Sequence, residues 1–281
     1  MTSWVNLDGW IEDQNSVDIG LSNRSFNYGD GLFESIRIIE GKIIGLELHL
    51  GRLLFGARFL EIRLSKHIST AITLEKSILE LAAKNQVKNG KVKLIVFRKE
   101  GGLYTPDEND SHFILHVKEL AGKPFSFSLK GLQLGVFEDL LKPINTLSSI
   151  KSTSSVFFVK AGLAKKKTVF DELIVLNNLK NVCEAISSNI FCVVNGAVYT
   201  PPLSSGCLPG TMRAQVIQLL HSKGMVLHEL DFDLAFVQNS DEVFLTNAIH
   251  GIQWVSGFGL KRYYCSKTKE ISLMLNESLG V

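Results

Sequence analysis

Asn181-Val182-Cys183-Glu184-Ala185-Ile186-Ser187-Ser188-Asn189-Ile190-Phe191-Cys192-Val193-Val194-Asn195-Gly196-Ala197-Val198-Tyr199 sets a single carboxylate in an apolar run and ends in a hairpin. Asn-Gly between two apolar segments is the strongest short-range signal for a two-residue β-turn, so Asn189–Val194 and Ala197–Tyr199 read as paired strands. Glu184 is then an acid among residues that belong in a core. Such a carboxylate needs a cationic partner, although from this residue alone a hydrogen-bonded turn acid at the surface remains the plainer alternative.

Working outward, Lys151 follows Leu147-Ser148-Ser149-Ile150 and precedes Ser152-Thr153-Ser154-Ser155 and a helix beginning near Val156. Burial disfavours an ammonium ion, and a neutral amine is what attacks an aldehyde carbon. A solvated loop lysine is the alternative. On the other side, Leu208-Pro209-Gly210-Thr211-Met212-Arg213 opens a second helix over Met212–His221. The exposed amides and positive dipole end of a helix start suit a phosphate, and the Thr211 and Met212 N–H groups are the candidates. Glu172–Asn177 and Asp241–Leu245 read as strands, Asp231–Phe236 and Ser266–Leu279 as helices, and Phe125–Leu129 and Leu132–Phe137 as strand candidates.

The first 120 residues have a different rhythm. Ser3–Leu7 is strand-like and turns at Asp8-Gly9, and Ser22-Asn23-Arg24 is a polar loop. Leu32–Ile39 turns at Glu40-Gly41 into a second strand. Apolar residues recur at helical spacing over Glu47–Leu60 and Ala71–Ala83, and Lys91–Phe97 and His112–Val117 complete the strands. The pattern predicts an α+β chain of two domains, a small one over 1–120 and a larger one over 121–281. Arg52, on the first helix, could add a guanidinium fork to a phosphate. Arg98 could hold a substrate carboxylate, with a solvated strand-end arginine as the alternative.

Composition narrows the partners. The chain has 281 residues, 45% hydrophobic and 21% charged, with 30 basic against 28 acidic side chains. A net charge of +2 gives no reason to expect nucleic acid or an anionic membrane, which leaves small molecules as the default ligand. The four cysteines show neither CxxC pairing nor metal-ligand spacing, and no signal-peptide pattern stands at the N-terminus. The expectation is a cytoplasmic protein with no metal site. No apolar run approaches the ~20 residues needed to cross a bilayer.

Taken together, these segments resemble the class IV pyridoxal-phosphate family, which includes branched-chain and D-amino-acid aminotransferases and aminodeoxychorismate lyase. Asn27-Tyr28-Gly29-Asp30-Gly31-Leu32-Phe33-Glu34-Ser35-Ile36-Arg37 is similar to its N-terminal signature, and His49-Leu50-Gly51-Arg52-Leu53 to its phosphate-arginine helix. Glu184 to Phe191, followed by Tyr199 to Gly210 and Arg213, is similar to its longest motif. The resemblance implies the fold type IV architecture, with a small α+β domain and a larger β-barrel-like domain carrying helices, and a homodimer. It also implies pyridoxal 5'-phosphate as cofactor. Lys151 would be the Schiff-base lysine, Glu184 the partner of the pyridine nitrogen, and Arg52 with the Thr211 and Met212 amides the phosphate cradle. Asn247 would contact the cofactor, and Phe33, Arg98 and Tyr104 would face the substrate.

Thr246-Asn247-Ala248, and Arg98 with Gly101-Gly102-Leu103-Tyr104, look like the lyase versions of these segments. The expected reaction is the folate-pathway conversion of 4-amino-4-deoxychorismate to 4-aminobenzoate and pyruvate. Glu34 after Phe33 is the transaminase form, Ser152-Thr153-Ser154-Ser155 lacks the asparagine common in lyases, and Trp254 stands where a proline is usual. Two alternatives follow: a transaminase for branched-chain or D-amino acids, and a cofactor-binding protein without efficient turnover.

Overall fold

Alternation of apolar and polar residues makes a strand whose two faces differ, and the strand Gly31–Ile39 shows what this builds. In the computed structural model, which describes residues 3–281, Leu32, Ile36 and Ile38 point into a core while Phe33, Ser35 and Arg37 point the other way. The chain divides into two units. The first comprises residues up to Pro124 together with Ile150–Ser155, and the second Phe125–Ser149 with Val156–Val281.

In the first unit the elements are β1 (Trp4–Leu7), β2 (Trp10–Asp13), α1 (Arg24–Tyr28), β3 (Gly31–Ile39), β4 (Lys42–Ile43), α2 (Leu46–Phe59), α3 (Ala71–Lys84), β5 (Gly90–Arg98) and β6 (Ser111–Glu119). The six strands form one sheet in the order β2-β1-β6-β5-β3-β4. Its core face takes Val92, Leu94 and Val96 of β5 and Phe113, Leu115 and Val117 of β6 against Leu50, Leu53 and Ala57 of α2 and Leu74, Ile78 and Leu81 of α3. Each fully buried aliphatic side chain there contributes about 1.5–3 kcal/mol. Helix α3 starts in a capping box, with Thr73 N–H donating to Thr70 Oγ1 and Thr70 N–H to Thr73 Oγ1. Helix α2 lies close on β3 because Gly56 faces it; a Cβ there would stand 2.9 Å from Leu32 Cδ2. The expected polar loop at Ser22–Arg24 instead leads into α1, whose N-cap Asn23 accepts from the Phe26 amide.

Lys151 belongs to this first unit, whereas the expected domains meet at 120/121. Phe33 N–H donates to Lys151 O at 2.9 Å, Thr153 N–H to Gly31 O at 2.9 Å, and Ser152 bridges Leu32 in antiparallel fashion. The segment is tied down residue by residue to the start of β3.

The second unit holds β7 (Leu132–Lys142), α4 (Val156–Lys165), β8 (Glu172–Asn177), β9 (Val182–Ala185), β10 (Asn189–Val194), β11 (Ala197–Thr200), α5 (Thr211–Ser222), β12 (Leu227–Glu229), α6 (Leu234–Asn239), β13 (Glu242–Asn247), β14 (Gly251–Phe258), β15 (Lys261–Arg262) and α7 (Ser266–Leu279). Its sheet runs β12-β11-β10-β13-β14-β7-β8-β9, with β15 on β14. The β10–β11 hairpin turns at Asn195-Gly196 with φ of 50° and 81°, as Asn-Gly favours. Phe125–Leu129 is not a strand: Phe125 has φ 46°, which breaks an extended run, and its ring packs on Gly251. Asp233 caps α6, so that helix begins three residues later than expected.

Candidate active site

In the first unit the candidate residues gather on β3 and α2. His49 and Arg52 are three residues apart on α2, hence on one side of it, and both meet Glu34 of β3. Arg52 Nε donates to Glu34 Oε1 at 2.8 Å and its Nη2 to Oε2 at 2.6 Å, while His49 Nδ1 stands 2.6 Å from Oε2. All three side chains are buried. Burial alone would raise the Glu34 pKa, but the Arg52 charge and hydrogen bonds, helped by His49, hold it at about 2. The carboxylate is therefore ionised, and His49 Nδ1 carries the proton it donates. The His49 pKa is lowered chiefly by burial, with Glu34 opposing and the charges of Arg52 and Lys151 adding to the fall. Lys151 Nζ lies 4.2 Å from the centre of the Phe33 ring, within cation–π range. Arg52, Lys151 and Phe33 thus stand in one neighbourhood.

Arg98 does not join them. Its Nε and Nη2 donate to Asp30, Nη1 to Glu61 O and Asn109 Oδ1, and Nη2 also to Leu60 O. These five bonds use all five of its N–H groups, so none is left for a substrate carboxylate. Arg98 is placed as a buried brace of the fold, sharing the Oδ2 of Asp30 with Arg24. Tyr104 is 90% exposed and its ring contact is with Tyr28 at 5.8 Å, on a loop that Arg24 holds by the carbonyls of Gly101, Gly102 and Leu103. It does not line a buried pocket of this unit.

In the second unit Glu184 sits on β9, a strand too short and too near the turn to be read from its sequence. Its Oε2 accepts the Leu208 N–H at 2.9 Å and its Oε1 accepts from the buried Lys142 ammonium. Lys142 went unmarked in the sequence. The signal was a lysine at the end of a strand, after Leu140 and Leu141, and the strand exposes the leucines while burying the lysine.

Helix α5 begins at Thr211 with Gly210 as N-cap, which offers no side-chain acceptor to its first amides. A Cβ at 210 would stand 1.9 Å from Asn189 Oδ1, so only glycine lets this helix start come so close. Thr246, opposite Asn189 in the β10–β13 register, is 1% exposed, and its Oγ1 has no hydrogen-bond partner among the described residues. Asn247 uses its side-chain oxygen to take the Ile249 and His250 amides and donates its Nδ2 to Ser188 Oγ. It shapes the turn after β13.

With this geometry in view, comparison with known proteins is decisive on family. The model of amino-transferase class IV matches residues 31–258. The chain belongs to the class IV aminotransferase family. Class IV enzymes depend on pyridoxal phosphate, and their two-domain fold type IV architecture is the one seen here. Among relatives, an aminodeoxychorismate lyase of Vibrio harveyi is 28% identical over 257 residues, covering 88% of this chain and 90% of that one. A D-alanine aminotransferase of Staphylococcus haemolyticus is 22% identical over 253 residues, covering 86% and 84%. The structure of a branched-chain aminotransferase from Thermoproteus uzoniensis superposes with a TM-score of 0.89 at 23% identity, over 100% of this chain and 96% of that one. Members of class IV with different reactions are thus about equally near.

The residues present fit the cofactor of class IV. The buried Thr246 hydroxyl, without a hydrogen-bond partner among the described residues, and the glycine-led start of α5 suit a phosphate. The buried Glu184 carboxylate suits a protonated ring nitrogen.

Proposed function

We propose that this class IV enzyme is a lyase that converts 4-amino-4-deoxychorismate to 4-aminobenzoate and pyruvate. The observation that carries the reading is the outer face of the first unit's sheet. Opposite the core, Phe33, Ser35 and Arg37 of β3 pair in register with Ile95, Lys93 and Lys91 of β5, which pair with Ile114, His116 and Lys118 of β6. Arg37 is only 4% exposed, and its Nε has no partner among the described residues. Burial lowers its pKa and that of Lys91, with the charges of Lys93 and Lys118 adding at Lys91. Lys93 Nζ approaches the same Phe33 ring as Lys151, at 5.5 Å. A buried cation without a counter-ion is costly, and a bound anion removes that cost. The substrate carries two carboxylates. A branched aliphatic amino acid carries only one.

Within this reading Lys151 would hold the cofactor through its Nζ and would move the proton at the substrate's amine-bearing carbon. Arg52, and separately the first amides of α5, would hold the phosphate, Glu184 would accept the ring N–H, and Asn247 keeps the turn after β13 in shape. Phe33 supports the substrate ring, with Lys93 and Arg37 taking a carboxylate. When bound, the cofactor supplies an electron-withdrawing ring conjugated to the substrate amine. Arg98 and Tyr104 have no part in this scheme.

A transaminase acting on D-amino or branched-chain amino acids is the second reading, favoured by the Phe33-Glu34 pair and the D-alanine aminotransferase relative. Product analysis separates the two. The lyase forms pyruvate and 4-aminobenzoate in equal amounts from 4-amino-4-deoxychorismate, with Lys151→Ala as blank, and exchanges amino groups slowly across an amino-acid panel with 2-oxoglutarate. Rapid exchange without pyruvate from the lyase substrate would establish the transaminase instead.

The protein is further proposed to act as a cytoplasmic homodimer. The exposed row Val156, Val159 and Leu163 on α4 supports self-association, which light scattering after gel filtration would test. No helix among the described residues is long and apolar enough to cross a membrane.

A further inference from the structure

Lys142 and Glu184 form an ion pair inside the second unit, with side-chain exposures of 7% and 5%. Lys142 ends β7 beyond a register shift against β8, which sets its side chain inward while Leu140 and Leu141 stay exposed. Its ammonium is spoken for on three sides: Glu184 Oε1, the carbonyl of Ser148 at 3.3 Å, and the face of Phe158 at 5.3 Å from the ring centre. Glu184 Oε2 is held by the Leu208 amide, which leads directly into Pro209-Gly210 and the start of α5. The carboxylate is thus fixed at both oxygens. Each oxygen of a carboxylate can accept two bonds, so room remains for a further donor on each.

Desolvating two ions is expensive, and an apolar pair of the same volume is commonly as stable or more so. Stability therefore gives little reason for a lysine at 142, in a region whose other members, Ile174, Val175, Val182 and Phe137, are apolar. Holding a carboxylate ionised and aimed in an apolar surrounding does give one.

We infer that Lys142 is a positioning residue which keeps Glu184 charged and oriented for the cofactor's ring nitrogen. The inference rests on the cofactor roles proposed above. It makes Lys142 matter to ligands that carry that nitrogen and be irrelevant to those that lack it.

The test is binding by the full-length apoprotein, titrated with pyridoxal 5'-phosphate and with its 1-deaza analogue, in which a C–H replaces the ring nitrogen. Lys142→Met is expected to weaken pyridoxal 5'-phosphate about tenfold or more and the deaza analogue less than twofold, collapsing the preference of the unaltered protein for the nitrogen-bearing ring. Lys142→Arg restores that preference, and so keeps the test open should the methionine variant fold poorly. Equal losses for both ligands, or no loss for either, would overturn the inference while leaving the cofactor reading intact. An unaltered protein that binds neither ligand would overturn both.

Discussion

Arg52 is forked onto Glu34, Nε to Oε1 and Nη2 to Oε2, with both side chains buried and a third buried group, His49, on the same carboxylate. The fork fixes the plane of the guanidinium before any ligand arrives. Glu34→Gln keeps the shape of the site but removes its anion and leaves Arg52 buried without charge compensation. The expected cost is about 3 kcal/mol of stability in denaturant unfolding. Affinity for pyridoxal 5'-phosphate should fall about tenfold with it, because the fork no longer orients Arg52. Unchanged stability would mean that the pair holds nothing together.

The same cluster sets an acid limit. The unfolded chain takes up a proton at His49 near its ordinary value of 6.5, whereas the folded pKa is lower, so stability declines as pH falls through 6.5. Glu34 adds stability that is complete above its unfolded value of 4.5 and disappears between 4.5 and about 2, on the order of 3 kcal/mol. Asp30, whose burial would raise its pKa but whose Arg98 and Arg24 partners lower it below 3.8, deepens the loss at the acid end. Denaturation midpoints measured from pH 8 to 3 should be flat above 7, slope gently below 6.5 and steepen below 4.5. His49→Gln should reduce the first slope, leaving the part that comes from His116, whose pKa burial also lowers, and keep the second.

Arg98 gives a contrast between structure and catalysis. Lysine cannot reproduce five directed donors, so Arg98→Lys should cost about 3 kcal/mol of stability. The KM of the folded enzyme should stay within twofold. A large rise in KM at unchanged melting temperature would return Arg98 to the substrate.

Lys93 should behave in the opposite way. It is exposed, and Lys93→Met should leave the melting temperature within a degree or two while raising the KM for 4-amino-4-deoxychorismate about tenfold. A steep dependence of KM on salt in the unaltered enzyme, reduced in the variant, would mark the effect as electrostatic.

Much of this was legible in the chain. Helix α7 runs over the residues that periodicity predicted, and the Asn195-Gly196 hairpin turns where its dipeptide requires. What escaped were relations that no local pattern encodes. Lys151 joins the first unit because residues 151–153 pair with β3, more than a hundred positions away. Arg98 is enclosed by Asp30, Leu60, Glu61 and Asn109, which come from three separate parts of the chain. Lys142 is buried because β7 shifts register near its end, a backbone irregularity that leaves hydropathy unchanged.

Lys142 and Lys151 are the two candidates for the carbonyl-binding amine, and they differ in setting. Lys142 is an ammonium locked to Glu184, whereas Lys151 Nζ rests on the Phe33 ring. Borohydride reduction of the cofactor-loaded protein followed by peptide mapping decides between them. A pyridoxyl mass on the peptide containing Lys151, and none on that containing Lys142, is the predicted result; a label on Lys142, or no label on either, would contradict it.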